Sequence, residues 1–160
     1  MPVLGHTRCM TPQLIRSARL FKGLPYAHAA RDSDMGLIAS AGACPIDDQG
    51  RVIPSRDIAA QTRKALDNLL IALEDAGAAI SDVLKTTIFV STSSRKDLAA
   101  AWNEVATRFG SEGPPSTLVG VTVLGYPDQL VEIEAIAVAQ GHVKFSERDD
   151  RWPNEYSNFE

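Results

Sequence analysis

The chain has 160 residues, of which 44% are apolar and 22% charged, and its formal net charge is −4 at pH 7. That composition is typical of a globular protein with one domain and a core of ordinary size. The acidic balance argues against nucleic acid as the main partner. No apolar run approaches the ~20 residues of a membrane helix. The N-terminus has no signal-peptide pattern and nothing requires the two cysteines to pair, so we expect a cytoplasmic protein that does not bind membranes.

The first strands are predicted in a region of mixed composition. Residues 1–24 are expected to form an irregular N-terminal arm, with a short strand around residues 19–21. Two further strands are predicted at about 26–31 and 35–41, with a turn of Asp, Ser and Asp between them. The three histidines are isolated in the sequence and no metal-ligand spacing occurs, so we expect no metal site.

The middle of the chain carries two predicted helices. Apolar residues in steps of three and four predict a helix over about 57–76, which Gly77 would end. The branched and aromatic run at 83–92 predicts a strand. Ser94 and Asp97 resemble a capping box that opens a second helix over about 95–109.

Two more strands are predicted at 117–123 and 131–139, joined as a hairpin by a turn at 125–128. Strands on either side of two helices favour an α+β fold in which helices cover a sheet. The polar segment 141–160 carries four aromatic side chains, and both a docked extension and a disordered end remain open.

The last predicted strand contains two carboxylates. Alternation puts Glu132 and Glu134 on one face, together with Ile136 and Val138, so this face is expected to be partly covered. Burying an unpaired charge is costly, so a covered carboxylate needs donors or a cation. The strand is therefore the first candidate for chemistry, although both carboxylates could also be structural.

Five sequence strings occur in order along most of the chain. They are Leu24-Pro25-Tyr26, Ala41-Gly42-Ala43-Cys44-Pro45, residues 61–69 (QTRKALDNL), residues 83–90 (VLKTTIFV) and residues 131–137 (VEIEAIA). Together they resemble the Rid proteins, the YjgF-type family once called L-PSP. The resemblance divides the chain into the arm 1–24, a Rid-like domain over 25–140 and an extension over 141–160.

This resemblance implies a fold like that of chorismate mutase, with a mixed sheet and two helices on one face. It also implies a homotrimer with ligand clefts between subunits. The best-known members hydrolyse reactive enamines and imines to 2-keto acids and ammonia without a cofactor. Nuclease activity has been attached to relatives, but the acidic charge and the lack of metal-ligand spacing make it a poor expectation here.

The resemblance also assigns site residues. Glu132 matches the glutamate that holds the hydrolytic water. The remaining matches are to positions that line the substrate pocket, namely Tyr26, Ala41, Gly42, Asn103, Ser116 and Thr117. Each of these residues could also have a purely structural role. Tyr26 could be an aromatic residue of the core, and Asn103 could form a hydrogen bond that holds a loop.

Ser116 is a departure from the family pattern, because it takes the place of the arginine that clamps the substrate carboxylate. Arginine binds a carboxylate through two charge-assisted bonds, each contributing roughly 1.5–3 kcal/mol. Serine supplies one neutral donor. We therefore expect a deaminase-type hydrolase of an imine or related small molecule, with weak or no activity on keto-acid imines. The alternative is a non-catalytic trimer that binds a small metabolite in the same clefts.

Overall fold

The computed structural model describes residues 12–32, 35–54 and 56–139. Cys9, His6, His142 and the predicted extension 141–160 lie outside these ranges. Within them, two helices pack on one face of a mixed six-stranded sheet, which confirms the predicted α+β architecture. The strands are β1 Gln13–Ile15, β2 Ala29–Arg31, β3 Leu37–Ser40, β4 Val83–Ser91, β5 Ser116–Val121 and β6 Val131–Val138.

The helices are α1, Ile58–Ala76, and α2, Arg95–Phe109. Asp57 caps α1 by accepting a bond from the backbone N–H of Ala60, and Gly77 ends it in the left-handed region at φ 94°. Neither helix combines the length and apolarity needed to cross a membrane.

The capping box predicted for α2 forms only in part. The Ser94 hydroxyl accepts a bond from the N–H of Lys96. Asp97 does not reach back to the N–H of Ser94, because the Thr92 hydroxyl stands between them. That hydroxyl donates to the Asp97 carboxylate at 2.6 Å and accepts from the Ser94 N–H at 2.9 Å.

The sheet runs in the order β1-β2-β3-β6-β4-β5. The predicted hairpin between the last two strands is wrong. β5 instead pairs with β4 in parallel, across the α2 connection, while β6 inserts between β3 and β4. This arrangement supplies β6 with hydrogen-bond partners on both sides, as expected of a central strand whose inward face is fully apolar.

The strand predicted near residues 19–21 is also misplaced, because the arm contributes residues Gln13–Ile15 as the edge strand β1. The 18–21 segment instead turns, and side chains fasten it. Its Arg19 guanidinium binds Glu74 at 3.1 Å and Asp75 at 2.5 Å. The His28 ring accepts from the N–H of Ser17 through Nδ1 at 3.1 Å, which leaves Nε2–H to donate to the Phe21 carbonyl at 3.2 Å.

The core lies between the sheet and the helices. Alternate residues of β6 point into it and are almost fully buried, and Leu66, Leu69 and Leu73 of α1 pack against them. The opposite face of the sheet carries the intervening residues of each strand. It exposes Leu37 and Ile136, which are 39% and 40% accessible.

Candidate active site

Glu132 lies on β6, opposite Phe89 of β4, on the sheet face away from the helices. It is half-buried, whereas Glu134 on the same face is exposed. The two oxygens of the Glu132 carboxylate differ. Oε2 accepts a hydrogen bond from Gln129 Nε2 at 3.0 Å and from the Cys44 thiol at 3.5 Å.

Oε1 of Glu132 has no hydrogen-bond partner in the part of the chain that the structure describes. Every fully buried side-chain oxygen or nitrogen in this same part has a partner, so Oε1 is not fully buried. One oxygen is therefore fixed by protein donors and the other is available to a water molecule or a ligand.

Gly42 closes the site beneath this carboxylate. Beyond the end of β3, the backbone of Ala43 exchanges hydrogen bonds with Ile133 at 2.8 and 3.2 Å, which brings Gly42 beside Glu132. A Cβ built on Gly42 would stand 1.9 Å from Oε1 and 2.6 Å from Cδ of Glu132. Glycine is required here by the close approach of the carboxylate to the backbone.

Cys44 lies on the same loop and is a free, buried thiol, 7% exposed. Burial, with the nearby charge of Glu132 and the hydrogen bond to its carboxylate, raises the pKa of the Cys44 thiol to about 12. The thiol therefore stays protonated at neutral pH and acts as a hydrogen-bond donor. A thiolate nucleophile is not supported here.

Two amide side chains of α1 hold the loops that build the site. Gln61 and Asn68 are seven residues apart, which places them on one helix face. Asn68 Nδ2 donates to the carbonyls of Cys44 and Ile46 at 2.8 and 2.9 Å. Gln61 accepts from the N–H of Leu130 at 2.7 Å and donates to two loop carbonyls at 2.9 Å.

Tyr26 forms one wall of the site. Burial and a hydrogen bond to Tyr126 raise the pKa of the Tyr26 phenol, and the nearby Cys44 and Glu132 groups act in the same direction. These interactions place Tyr26 near the carboxylate, although its ring is 41% exposed. The Arg16 guanidinium holds the backbone here by donating to the Tyr26 carbonyl at 2.9 Å.

The structure thus brings together four of the predicted site residues. Tyr26, Gly42 and Glu132 lie close together at the N-terminal end of β6. Ala41 adjoins Gly42, and its N–H bonds to the carbonyl of His28 at 2.9 Å. Ala41 has no polar side-chain group, so it can offer only its backbone at this position.

The other three predicted residues lie elsewhere on the same chain. Ser116 pairs with Thr86 in register, and their hydroxyls are 2.7 Å apart on the side of the sheet that faces the helices. Glu132 points to the opposite face of the sheet. It lies on β6, the second strand from β5, and is three residues before Ala135, which is in register with Thr86. Strand spacing and rise put the two α-carbons roughly 14 Å apart.

Thr117 and Asn103 are also separate from Glu132. The Thr117 hydroxyl accepts a bond from Lys85 Nζ at 2.9 Å on the outer face of the edge strand. Asn103 is exposed on α2, in the layer of helices. A pocket that contains all seven predicted residues therefore cannot form within one copy of the chain.

Sequence reasoning missed Gln129, Tyr126, Gln61, Asn68 and Cys44 as members of the site. Gln129 did carry a signal. It shares the alternation of Val131 and Ile133, so it falls in the buried register, where a polar residue is unusual. Gln61 and Asn68 likewise interrupt the buried face of α1. No group of three or more His, Cys, Asp or Glu side chains within 12–32, 35–54 and 56–139 could hold a metal ion.

A mixed sheet with two helices on one face and a half-buried carboxylate set over a glycine defines the class: an α+β domain with a candidate active site on the sheet face away from the helices. The profile of the family described as Endoribonuclease L-PSP matches residues 18–139. The chain belongs to this family, the YjgF/Rid family that its sequence strings resemble.

Relatives and solved structures agree with this assignment. A RutC family protein of Pyrococcus abyssi is 38% identical over 116 residues, which cover 71% of this chain and 85% of the relative. The 2-iminobutanoate/2-iminopropanoate deaminase of Escherichia coli is 36% identical over 109 residues, covering 66% of this chain and 82% of that protein. The crystal structure of the Escherichia coli YjgF gene product is similar with a TM-score of 0.67 at 31% identity, covering 79% and 98%.

Proposed function

We propose that this protein hydrolyses a small, reactive imine or enamine and releases ammonia, with Glu132 holding the attacking water. The observation that carries the proposal is that the two oxygens of the Glu132 carboxylate have different surroundings. Oε2 is fixed by Gln129 and Cys44, while Oε1 lies over Gly42 without a donor among the described residues. A relative that is 36% identical bears the name of an imine deaminase, which supports the same reaction class.

The chemistry requires one water and no net redox change. Water bound to Oε1 of Glu132 attacks the imine carbon, and the carboxylate accepts the proton that the water loses. The same carboxyl group then passes that proton to the imine nitrogen, which gives a carbinolamine. It next relays the proton of the new hydroxyl group to the amine nitrogen, so the C–N bond breaks as the C=O bond forms, and ammonia leaves. General acid–base catalysis of this kind contributes about 10²–10⁴-fold to the rate.

The substrate is held differently from a keto-acid imine. Ser116, which takes the place of the family's clamping arginine in the resemblance, bonds to Thr86 and to the carbonyl of Pro114. It offers no positive charge to a carboxylate. We therefore propose a neutral substrate, or one whose charge is met by another cation.

We also propose that the working form is a homotrimer with its sites between subunits. Two observations support this. The predicted site residues fall into two groups that lie apart on one chain, and the sheet face away from the helices exposes Leu37 and Ile136. An exposed apolar face of this kind marks a surface for association.

Ammonia release from freshly generated 2-iminopropanoate and from neutral imines tests the catalytic role. Glu132→Gln should abolish turnover, whereas Glu134→Gln, the matched change at the exposed neighbour on the same face, should leave it unchanged. Light scattering should give a trimer for both variants. A fully active Glu132→Gln enzyme contradicts the mechanism, and a monomer contradicts the site between subunits.

The absent clamp favours a second candidate, a non-catalytic trimer that binds a small metabolite in the same place. It predicts that no imine is hydrolysed above the uncatalysed rate, yet a keto acid or amino acid binds saturably by calorimetry. Glu132→Gln should then change binding only. Turnover that depends on Glu132 would exclude this alternative.

A further inference from the structure

We propose that Gln129 is the positioning residue that aims the Glu132 carboxylate, with the Cys44 thiol as a second donor to the same oxygen. The inference rests on the proposed role of Glu132 in holding water. It adds to that role by assigning the two carboxylate oxygens and naming the side chains that set them.

The contacts of Gln129 are those of a fixed donor. Its side chain is buried, at 4% exposure. Nε2 lies 3.0 Å from Oε2 of Glu132, 3.2 Å from Sγ of Cys44 and 3.2 Å from the carbonyl of Val131. Two N–H groups thus face three acceptors, and the charged oxygen is the nearest of them.

The orientation of the Gln129 amide is determined by its other end. Oε1 of Gln129 accepts a bond from the backbone N–H of Tyr126 at 3.0 Å. A backbone N–H can only donate, so this atom must be the oxygen, and Nε2 must face the carboxylate. A flipped amide would oppose donor to donor at Tyr126 and oxygen to oxygen at Glu132.

The segment that carries Gln129 is itself held rigidly. The N–H of Gln129 bonds to the carbonyl of Tyr126 at 3.2 Å across Pro127 and Asp128, whose φ is 61°. Pro at the second position and a positive φ at the third are typical of a type II turn. Gln61 of α1 then fastens the turn at Asp128 and Leu130.

Cys44 completes the arrangement from the opposite loop. Its thiol donates to Oε2 of Glu132, so both donors act on one oxygen. Because Oε2 is held from two elements, the carboxylate cannot exchange its oxygens without breaking both bonds. Oε1 is left as the oxygen that a water can reach. A catalytic side chain keeps the orientation that the reaction needs when neighbouring residues hold it by hydrogen bonds in this way.

Gln129→Met tests this inference, because methionine matches glutamine in length and lacks the donor. We expect kcat to fall at least about tenfold, with KM changed by less than about threefold. Gln129→Asn keeps an amide but withdraws it by one methylene, so it should show a partial loss of kcat. If Gln129→Met fails to fold, the kcat of Gln129→Asn tests the inference instead. Cys44→Ala, which removes the weaker donor, should lower kcat less than Gln129→Met does.

The single variants at Glu132 and Gln129 separate this inference from the proposed function. If Glu132→Gln keeps full activity, the proposed function fails. If Glu132→Gln is inactive while Gln129→Met and Gln129→Asn keep wild-type kcat, only the positioning role fails.

A crystal structure of Gln129→Met provides a readout that needs no substrate. It should show the Glu132 carboxylate rotated away from its place over Gly42. An unmoved carboxylate would overturn the inference even if turnover were lost.

Discussion

The backbone of Gly42 lies against the carboxylate of Glu132 so closely that a Cβ at position 42 would stand 1.9 Å from Oε1. Gly42 follows the end of β3, whereas Glu132 lies near the start of β6. The backbone bridge between Ala43 and Ile133 sets the distance between them. The position of the catalytic candidate is therefore determined as much by the absence of a side chain at 42 as by the glutamate itself.

Gly42→Ala should displace the Glu132 carboxylate and lower turnover by about 100-fold, because a shift of about 1 Å in a catalytic group costs that much. Ammonia release measures the loss. Gly125→Ala is the matched control, since the one contact within 4 Å that a Cβ there would make with the described residues is to Oε1 of Gln129, at 4.0 Å. Both variants should keep wild-type circular dichroism. Equal activity in the two alanine variants would contradict the prediction.

Ser116→Arg should lower the KM for 2-iminopropanoate by about tenfold or more, because it restores a charge-assisted clamp for the substrate carboxylate. Ser116→Gln, which is long and polar but uncharged, is the control. The predicted gain belongs to the charge, so the glutamine variant should not show it. An arginine variant with unchanged KM would mean that the clamp is supplied elsewhere or is not used.

Gln61→Met should destabilise the fold by about 2–4 kcal/mol, because it leaves the N–H of Leu130 and two loop carbonyls without their buried partner. Urea unfolding followed by circular dichroism gives the free energy of unfolding. Gln49→Met makes the same exchange at an exposed residue and should change it by less than about 0.5 kcal/mol. A similar loss of unfolding free energy in the two variants would contradict the role of the buried Gln61 hydrogen bonds in stability.

Cys44 should react slowly with iodoacetamide, because a thiol pKa of about 12 against an ordinary 9.0 leaves roughly 1000-fold less thiolate at pH 8. A Cys9→Ser background isolates the reaction of Cys44, and urea-unfolded chain is the reference. Rapid labelling of the folded protein would contradict the assignment of a protonated, donating thiol.

The same raised pKa predicts how stability depends on pH. The folded state binds the Cys44 proton more tightly than the unfolded state, so this stabilisation is fully present below pH 9 and is lost as pH rises towards 12. Between pH 8 and pH 10.5, Cys9→Ser should lose about 2 kcal/mol more unfolding free energy than Cys9→Ser/Cys44→Ala. Parallel curves for the two proteins would refute it.

Much of the architecture could be predicted from the sequence, because it is written in local patterns. The helices were predicted within one or two residues of their bounds, since their apolar periodicity and the stop at Gly77 depend only on neighbours along the chain. Strand pairing could not be predicted in this way. Alternation specifies which face a residue takes but not which strand lies beside it, so β5 and β6 were wrongly paired.

By itself the sequence determined the α+β class, the family and the candidacy of Glu132, because residue type, period and ordered strings suffice for each. Only the tertiary structure decided what surrounds that carboxylate. Gly42, Cys44 and Gln129 reach it from separate loops that α1 holds in place through buried amides. Such contacts depend on distances between segments far apart in the chain. The same folding carries Ser116 to the other face of the sheet, two strands from the glutamate it was expected to join.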